Sequence, residues 1–405
     1  MLFYLVGIKG SGLSALAKIL IDNGHIVYGV DESTSFYTEK NLNAKIEAFD
    51  KMILKKSYFY IIGNAYTNHS VSKYIKLMKY YYMSYPQFIA YYFKNYNFIS
   101  VCGSHGKTTT TKLLSEFVKD SSCLIGDGTG KGSISNNFII ESCEYKSTFL
   151  NYYPNITLLL NIDYDHADYY KSNSEYIEAF KIFTRQSKIV IANGDDDNIK
   201  KIINDRFITF GLNDDNDIKF SYSNGTIYLL GEEYRLSVIG LHYAYDFVGA
   251  YIVAKLLGAE NEFIKNKLAY FNLPKRRLES FKINNCDCIL DYAHHPTEIK
   301  CVYNTLSEMY SNKKIVCCFQ PHTISRTKAF LRGFKEALSL FSDIYLLPIF
   351  TSVRELKNDV EENELYSYLG FKKINNISEI EYNENNLYAF LGAGDIDNMV
   401  KKLIK

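Results

Sequence analysis

Short apolar runs alternate with amphipathic stretches along most of the chain. Residues 2–7 predict a strand, residues 12–23 a helix, and residues 25–30 a second strand that leads to Asp31. Residues 58–63 predict a third strand. Strands separated by helices in this way are typical of α/β units with parallel sheets.

The pattern restarts twice further along the chain. Near residue 97 a strand leads into a glycine-rich loop and a helix, and a third series begins after residue 275. A chain of 405 residues is too long for one ordinary hydrophobic core, so two or three domains are expected. The other main elements are predicted strands at 138–141, 156–161, 188–193, 289–291, 314–319, 344–347 and 387–391, and a helix at 243–258.

The first glycine-rich turn, GIKGSG at residues 7–12, lies between a strand and a helix. A dinucleotide-binding unit holds its pyrophosphate at such a turn, and Asp31 lies about where the ribose-binding acid follows. Lys9 occupies a position where that fingerprint requires glycine, so a nicotinamide cofactor is the weaker interpretation. The turn suits a diphosphate ligand. A tight turn that only lets strand and helix pack explains this segment equally well.

The second glycine-rich loop, GSHGKTT at residues 103–109, gives the stronger signal. Backbone N–H groups and a helix N-terminus can cradle phosphates, Lys107 can follow the transferred phosphoryl group, and Thr108 can bring a hydroxyl to Mg²⁺. The spacing is shorter than the general GxxxxGKT, because position 101 is valine. The alternative is a turn followed by an exposed lysine. Four consecutive threonines are a poor helix start, which favours a functional loop.

Acids and histidines follow several of the predicted strands. Glu141 and Glu144 follow one strand, and three aspartates surround His166 within residues 163–168 after the next. The carboxyl ends of parallel strands share one edge, so these groups could hold Mg²⁺ near the phosphate loop. By hardness alone an aspartate is a better magnesium ligand than His166.

The third series carries its own polar motifs. His294 and His295 follow one strand, and His322 and Arg326 follow another. Adjacent histidines on a turn are poor core material, and arginine suits phosphate or carboxylate. Arg277 lies at the junction of the second and third series. Two interpretations are open: it belongs to a solvated basic run, or its side chain reaches an ATP phosphate.

Composition excludes several classes of protein. The formal net charge is +1, which offers no overall field for nucleic acid or an anionic membrane, although a local basic patch is compatible with it. The sequence contains no pair of CxxC motifs, so a structural zinc site is not expected. No apolar stretch approaches the ~20 residues that a membrane helix needs. We therefore expect a cytoplasmic protein with reduced thiols and no nucleic-acid or membrane partner.

Nine segments, in order and over nearly the whole chain, resemble the Mur ligase family, and within it the alanine-adding branch. The short GxxGKTT loop is the family's own form, so its spacing supports the resemblance. DYAHHPTE with QPHTISRT is specific to the alanine-adding branch and its peptide-recycling relative. The segments are VGIKGSGLSALAKIL, GSHGKTTTT, IGDGTGKG, ESCEYKSTF, NIDYDHADYY, PKRRLES, DYAHHPTEIK, FQPHTISRTKAF and LGAGDI.

The resemblance implies three α/β domains: a Rossmann-like domain for the UDP-sugar at 1–96, a central P-loop ATPase domain with a mostly parallel sheet at 97–274, and a C-terminal Rossmann-like domain at 275–405. It implies that ATP and Mg²⁺ activate the lactyl carboxylate of UDP-N-acetylmuramate as an acyl phosphate. The amine of L-alanine then attacks that acyl phosphate. A monomer or a homodimer is expected.

The resemblance also implies roles for individual residues. It implies that Lys107, His294 and Arg326 are catalytic and that Thr108, Glu141 and His166 bind the metal. For His166 we follow the family pattern, although an aspartate is the harder ligand. The residues expected to bind the UDP-sugar are Gly10, Ser11, Gly12, Ser14 and Asp31. Those expected to bind ATP are Gly103, Ser104, His105, Gly106, Lys107, Thr108, Thr109, Arg277, Tyr243 and Asp246. Those expected to contact the amino acid and the acyl phosphate are His294, His295, His322, Arg326 and Glu144.

One segment departs from the family pattern. The family carries G-x-H-N-x-x-N where the helix meets adenine, and here Tyr243 and Asp246 replace both asparagines. Tyrosine could stack on the base and aspartate could accept its amino proton. A recycling ligase that attaches a whole tripeptide is one alternative function. A catalytically weak relative that binds UDP-sugar as a scaffold or sensor is another.

Overall fold

The computed structural model describes residues 1–32, 37–39, 42–351 and 358–404. Within these residues the chain forms two compact units. The first unit comprises Met1–Asp163, Asn173–Ser237 and Ala244–Phe271, and the second comprises Tyr164–Ser172, Val238–Tyr243 and Asn272–Lys405. The domain limits predicted from the sequence stay a prediction.

The first sheet of the first unit has five parallel strands in the described part of residues 1–96, in the order β3-β2-β1-β4-β5. Tyr4, Tyr60 and Ile75 pack on one of its faces, whereas Phe3 packs against Phe88 on the other. The strands are β1 (Leu2–Val6), β2 (Ile26–Asp31), β3 (Lys45–Ala48), β4 (Phe59–Ile62) and β5 (Tyr82–Ser84), and the helices are α1 (Ser11–Asp22), α2 (Ser70–Leu77) and α3 (Tyr85–Tyr92).

The second sheet of the first unit has ten strands among the described residues, in the order β15-β14-β13-β12-β11-β10-β6-β9-β7-β8. Strand β8 and the hairpins β13–β15 are antiparallel, and the others are parallel. The strands are β6 (Asn97–Cys102), β7 (Ser121–Leu124), β8 (Gly130–Lys131), β9 (Asn137–Glu141), β10 (Ile156–Leu159), β11 (Ile189–Asn193), β12 (Phe207–Gly211), β13 (Ile218–Ser223), β14 (Thr226–Leu229) and β15 (Glu232–Arg235), and the helices are α4 (Lys107–Phe117), α5 (Asn173–Gln186), α6 (Asp197–Lys200), α7 (Leu241–Leu256) and α8 (Asn261–Ala269).

The sheet of the second unit has six strands where the structure describes residues 275–404, in the order β16-β17-β21-β18-β19-β20. Consecutive residues of a strand face opposite sides, so Cys317 packs in one apolar core and Cys318 in the other. The strands are β16 (Glu279–Ile283), β17 (Cys286–Asp291), β18 (Lys314–Phe319), β19 (Asp343–Leu346), β20 (Lys372–Lys373) and β21 (Asn386–Leu391), and the helices are α9 (Pro296–Met309), α10 (Ile324–Ala329), α11 (Leu331–Leu338), α12 (Asp359–Leu369) and α13 (Ile396–Leu403).

These three sheets confirm the predicted fold class of α/β domains with mostly parallel strands. No disulfide joins any of the eight cysteines, all of which lie among the described residues. None of the helices in that part of the chain has both the length and the apolar character that a bilayer crossing requires.

Candidate active site

The phosphate loop joins β6 to α4, as the sequence predicted. Gly103 and Gly106 have φ of +142° and +81°, a region that residues with a side chain rarely adopt. A Cβ at Gly106 would also collide with the carboxylate of Asp246. Glycine is therefore required at both positions. The loop ends at the first turn of α4, where backbone N–H groups without a helical partner can receive phosphate oxygens.

Lys107 is held tightly within this loop. Its Nζ donates to the carbonyl oxygens of Gly103 at 2.5 Å and Ser104 at 2.9 Å, and it lies 3.0 Å from Oε2 of Glu144. Burial lowers the pKa of Lys107, but Glu144, and then Cys143 and Glu141, together outweigh burial, so the pKa of Lys107 lies above the ordinary value. The lysine is therefore a fixed positive charge at any working pH.

Side chains from neighbouring strands fix the rest of the loop. The His105 backbone N–H donates to Asn161 Oδ1 at 2.8 Å, and its ring Nε2 lies 2.9 Å from Asp163 Oδ2. The hydroxyl groups of Ser104 and Tyr176 lie 2.8 Å apart. Asn161 and Tyr176 were not predicted as site residues. Asn161 begins the NIDYDHADYY segment, but it was assigned no role there, and Tyr176 lies outside the quoted segments, on helix α5.

Two of the three predicted metal ligands belong to the first unit. Val101 of β6 pairs with Glu141 of β9, so Glu141 and the loop after β6 lie at the same edge of the sheet. Thr108 is partly exposed in the first turn of α4. Carboxylate and hydroxyl oxygens are the donors that Mg²⁺ prefers, so these residues fit the ion. His166 belongs to the second unit, and its place in the metal site stays a prediction.

The N-terminal glycine turn places Gly10 at the start of α1. A Cβ at Gly12 would lie 2.9 Å from the hydroxyl oxygen of Tyr85, so glycine lets this tyrosine approach the turn. Ser14 is fully buried, and its Oγ donates to the Ser11 carbonyl oxygen at 3.0 Å. Burial, and then Cys143 and Glu141, raise the pKa of Tyr85. Tyr85 therefore lies between the first turn and the segment after β9, a position that the sequence did not indicate.

Asp31 is only 4% exposed, and its carboxylate hydrogen-bonds to the protein itself. Oδ2 accepts from the Lys9 backbone N–H at 2.7 Å, and Oδ1 accepts from the Tyr66 hydroxyl at 2.5 Å. The Lys9 side chain forms an ion pair with Glu39 and donates to the Glu32 carbonyl oxygen at 2.8 Å. These bonds shape the turn, whereas contact of Asp31 with a sugar stays a prediction.

The second unit joins Arg326 to Asp165. The guanidinium donates through Nε and Nη2 to the two carboxylate oxygens at 3.0 and 3.1 Å. Burial raises the pKa of Asp165, but Arg326, and then nearby histidines, hold it well below its usual range. His322 Nδ1 lies 3.4 Å from Nη1 of the same arginine. Two predicted residues, His322 and Arg326, thus lie together, and Arg326 binds Asp165, one of the three aspartates predicted as candidate magnesium ligands near His166.

Glu298 links two further predicted residues within the second unit. Its carboxylate accepts from the His294 backbone N–H at 2.9 Å and lies 3.1 Å from His294 Nδ1. Arg277 Nη1 lies 3.8 Å from the same carboxylate. His295 instead begins α9, where its Nδ1 accepts from the Thr297 N–H at 3.4 Å, and it is 3% exposed. The role of His295 toward the amino acid stays a prediction.

The start of α7 contributes His242 and Tyr243 to the second unit. The two rings lie 4.0 Å apart between centroids, and Tyr243 is 7% exposed. Burial, and then the Arg277 guanidinium, lower the pKa of His242 to about 4. This histidine is therefore neutral near pH 7.

The depressed pKa of His242 predicts acid sensitivity. An unfolded histidine titrates near 6.5, so the folded protein loses stability as the pH falls from that value towards 4, because unfolding lets the ring take up a proton. We expect a loss of up to about 3 kcal/mol relative to His242→Gln. Urea unfolding of both proteins across this pH range measures it. Parallel stability curves would contradict the prediction.

Three family profiles match the chain: "Mur ligase family, catalytic domain" at residues 2–97, "Mur ligase middle domain" at 134–254, and "Mur ligase, glutamate ligase domain" at 276–394. The chain therefore belongs to the Mur ligase family, the ATP-dependent amide ligases of peptidoglycan precursor synthesis. The resemblance seen in the sequence is confirmed at this level.

Solved structures share the fold. A UDP-N-acetylmuramate-alanine ligase from Thermotoga maritima has a TM-score of 0.80 and 22% identity, covering 100% of this chain and 98% of its own. A murein peptide ligase from Psychrobacter arcticus has a TM-score of 0.72 and 18% identity over 100% and 98%. MurF ligase from Thermotoga maritima, solved in complex with ADP, has a TM-score of 0.61 and 15% identity over 93% and 94%. At these identities the likeness establishes the fold alone.

Proposed function

We propose that this Mur ligase joins L-alanine to the lactyl carboxylate of UDP-N-acetylmuramate, with ATP converted to ADP and phosphate. The observation that carries the ATP-dependent part is the Lys107–Glu144 pair, which holds a permanent cation in a glycine loop at a helix N-terminus. The motifs DYAHHPTE at residues 291–298 and QPHTISRT at residues 320–327 support the alanine-adding branch, which shares them with its peptide-recycling relative.

In the first half-reaction Lys107 binds the γ-phosphoryl group and offsets its charge as the substrate carboxylate attacks. The backbone N–H groups at the start of α4 hold the other phosphate oxygens. Because the two reactants are both anionic, fixed positive groups that need no rearrangement lower the barrier most effectively. Glu144 accepts a hydrogen bond from Lys107 Nζ at 3.2 Å and so helps to hold the amine within the loop. Thr108 and Glu141 would hold Mg²⁺, which would supply further neutralisation of the phosphate charge.

In the second half-reaction the C-terminal motifs receive the amino acid. His294, whose ring Nδ1 lies 3.1 Å from the Glu298 carboxylate, accepts a proton from the alanine ammonium in this proposal. Arg326 and His322 stabilise the acyl phosphate. The free amine then attacks the acyl carbon, the C–N bond forms, and phosphate leaves.

Amine choice tests the proposal directly. Phosphate release should require UDP-N-acetylmuramate, ATP and Mg²⁺ together, and alanine should give a higher kcat/KM than glycine or serine. The L-alanyl-γ-D-glutamyl-diamino acid tripeptide serves as the competing acceptor. A higher kcat/KM for the tripeptide would replace this proposal with a recycling ligase. UDP-sugar binding without turnover would indicate a scaffold.

The base end of ATP gives a separate prediction. An ionised carboxylate only accepts hydrogen bonds, so Asp246 in place of asparagine can accept from the adenine amino group but cannot donate to the guanine carbonyl. We expect the KM for ATP to lie about tenfold below that for GTP, and Asp246→Asn to narrow the difference. Steady-state kinetics with both nucleotides measure it. Equal KM values in the unaltered enzyme would refute specific adenine recognition.

A further inference from the structure

The charge of the chain is distributed unevenly. No aspartate or glutamate occurs between Asp50 and Glu116, although the whole chain has 45 acidic residues. The same stretch has no arginine, and its lysines are Lys51, Lys55, Lys56, Lys73, Lys76, Lys79, Lys94, Lys107 and Lys112. The overall charge of +1 therefore conceals a strongly basic part of the first unit.

Large apolar side chains are exposed in the same stretch. Leu77 and Tyr81 are each 76% exposed, and Ile53 is 66% exposed. Met78, at 44%, lies next to Leu77. Exposed apolar side chains that occur singly are ordinary, but several of them interspersed with lysines form an amphipathic surface.

Several of these lysines and apolar residues lie at the end of the first sheet where strands β4 and β5 begin. Lys55 and Lys56 precede β4, and Lys79 and Tyr81 precede β5. The Lys55 backbone N–H donates to the Tyr60 hydroxyl at 2.7 Å, and the Tyr60 N–H donates to the Tyr81 carbonyl oxygen at 2.9 Å. The segments before the two strands are thus fastened side by side.

The last turn of α2 contributes Lys76 and Leu77, which are exposed, whereas their neighbour Ile75 is fully buried in the apolar cluster on the first sheet. We call Ile53, Lys55, Lys56, Lys76, Leu77, Lys79 and Tyr81 the basic edge; all of them are exposed. It lies at the amino ends of the parallel strands. The GIKGSG turn follows the carboxyl end of β1. A partner on the basic edge would leave that turn open.

The chemistry of the basic edge favours an anionic bilayer over nucleic acid. Protein contacts with nucleic acid make heavy use of arginine, which this stretch lacks entirely. Its most exposed members include the aliphatic Ile53 and Leu77, which suit the boundary between headgroups and acyl chains. Tyrosine is favoured at the same depth, and lysines are attracted by the negative surface potential.

We propose that the basic edge docks the enzyme reversibly on membranes that contain anionic phospholipid. This differs from the expectation of no membrane partner, which rested on the charge of the whole chain. Each lysine near an anionic surface strengthens binding about fivefold. Four lysines with two or three apolar side chains are therefore enough for peripheral binding without insertion of a helix.

Vesicle co-sedimentation of the full chain tests this. We expect binding to phosphatidylcholine vesicles that contain phosphatidylglycerol, and at least about tenfold weaker binding to phosphatidylcholine alone. The variant Lys55→Glu/Lys56→Glu/Lys76→Glu/Lys79→Glu should lose at least tenfold on the anionic vesicles. Leu77→Ser should also weaken binding while leaving the salt dependence unchanged, because it removes only the apolar contribution.

The matched control changes four exposed lysines elsewhere, Lys188, Lys200, Lys255 and Lys402, to glutamate. It has the same net charge as the basic-edge variant and should bind like the unaltered protein. Equal losses in both variants, or equal binding to neutral and anionic vesicles, would overturn the proposal. So would tighter binding of a single-stranded oligonucleotide that depends on the same four lysines. UDP-sugar binding and the unfolding temperature show that the variants remain folded.

Discussion

Lys107→Ala should lower kcat by at least about 10²–10³-fold, which is the effect of removing one fixed group that stabilises developing charge. The physical reason is the position of the amine, held by two loop carbonyl oxygens and by Glu144. An alanine leaves the attacking carboxylate and the phosphoryl group without this cation. Phosphate release with UDP-N-acetylmuramate, ATP, Mg²⁺ and alanine measures the loss.

Loss of folding must be distinguished from loss of catalysis, because Glu144 is 1% exposed and would be left without its cation. The double variant Lys107→Ala/Glu144→Gln removes that buried charge, so its unfolding temperature should approach that of the unaltered protein while turnover stays lost. Lys119→Ala, an exposed lysine just beyond α4, is the matched control and should retain full activity. Near-parental phosphate release by Lys107→Ala would contradict the role given to this residue.

The sequence predicted the elements whose pattern is local. The strand expected at 138–141 is Asn137–Glu141, and the helix expected at 243–258 is Leu241–Leu256. The antiparallel hairpins at 218–235 were not predicted. Their side chains alternate between inward and exposed positions, and the alternation of Ile218, Phe220 and Tyr222 with lysine and serine is a strand signal that could have found them.

The site residues likewise divide into those set by a local pattern, which could be predicted, and those set by distant contacts, which could not. The glycine loop and Lys107 could be predicted, because the seven consecutive residues 103–109 determine both the backbone conformation of the loop and the spacing of the lysine from the glycines. The partners of those residues could not, since Asn161 meets His105 across 56 positions and Tyr176 meets Ser104 across 72. Which strand neighbours which decides such contacts, and a single sequence carries no signal for it.

The Asp31 prediction shows the reverse difficulty. Its position after β2 matched a ligand-binding acid, yet both of its oxygens accept hydrogen bonds from the protein. The pattern identified a carboxylate that matters for the structure, but it did not indicate that protein groups, rather than a ligand, would donate hydrogen bonds to it. The same holds for Lys9, whose side chain turns towards Glu32 and Glu39.

Removing Asp165 should destabilise the second unit by about 3–5 kcal/mol, because Arg326 would remain buried without a counter-charge. The two side chains are 6% and 11% exposed and share two hydrogen bonds across 161 positions of sequence. Asp165→Ala and Arg326→Ala should therefore each lower the free energy of unfolding strongly. Their double variant should lose less than the sum, since neither charge is then left alone. Urea unfolding of the four proteins measures the coupling.

A second pair of substitutions separates this structural role from catalysis. Asp165→Leu/Arg326→Met replaces the ion pair with apolar side chains, an exchange that is often neutral or stabilising in a buried site. We expect this protein to fold with a stability near that of the unaltered chain and yet to form no product, because Arg326 no longer stabilises the acyl phosphate. Additive losses in the cycle would show that the pair is not coupled. Full ligation by the apolar double variant would restrict Arg326 to holding the fold.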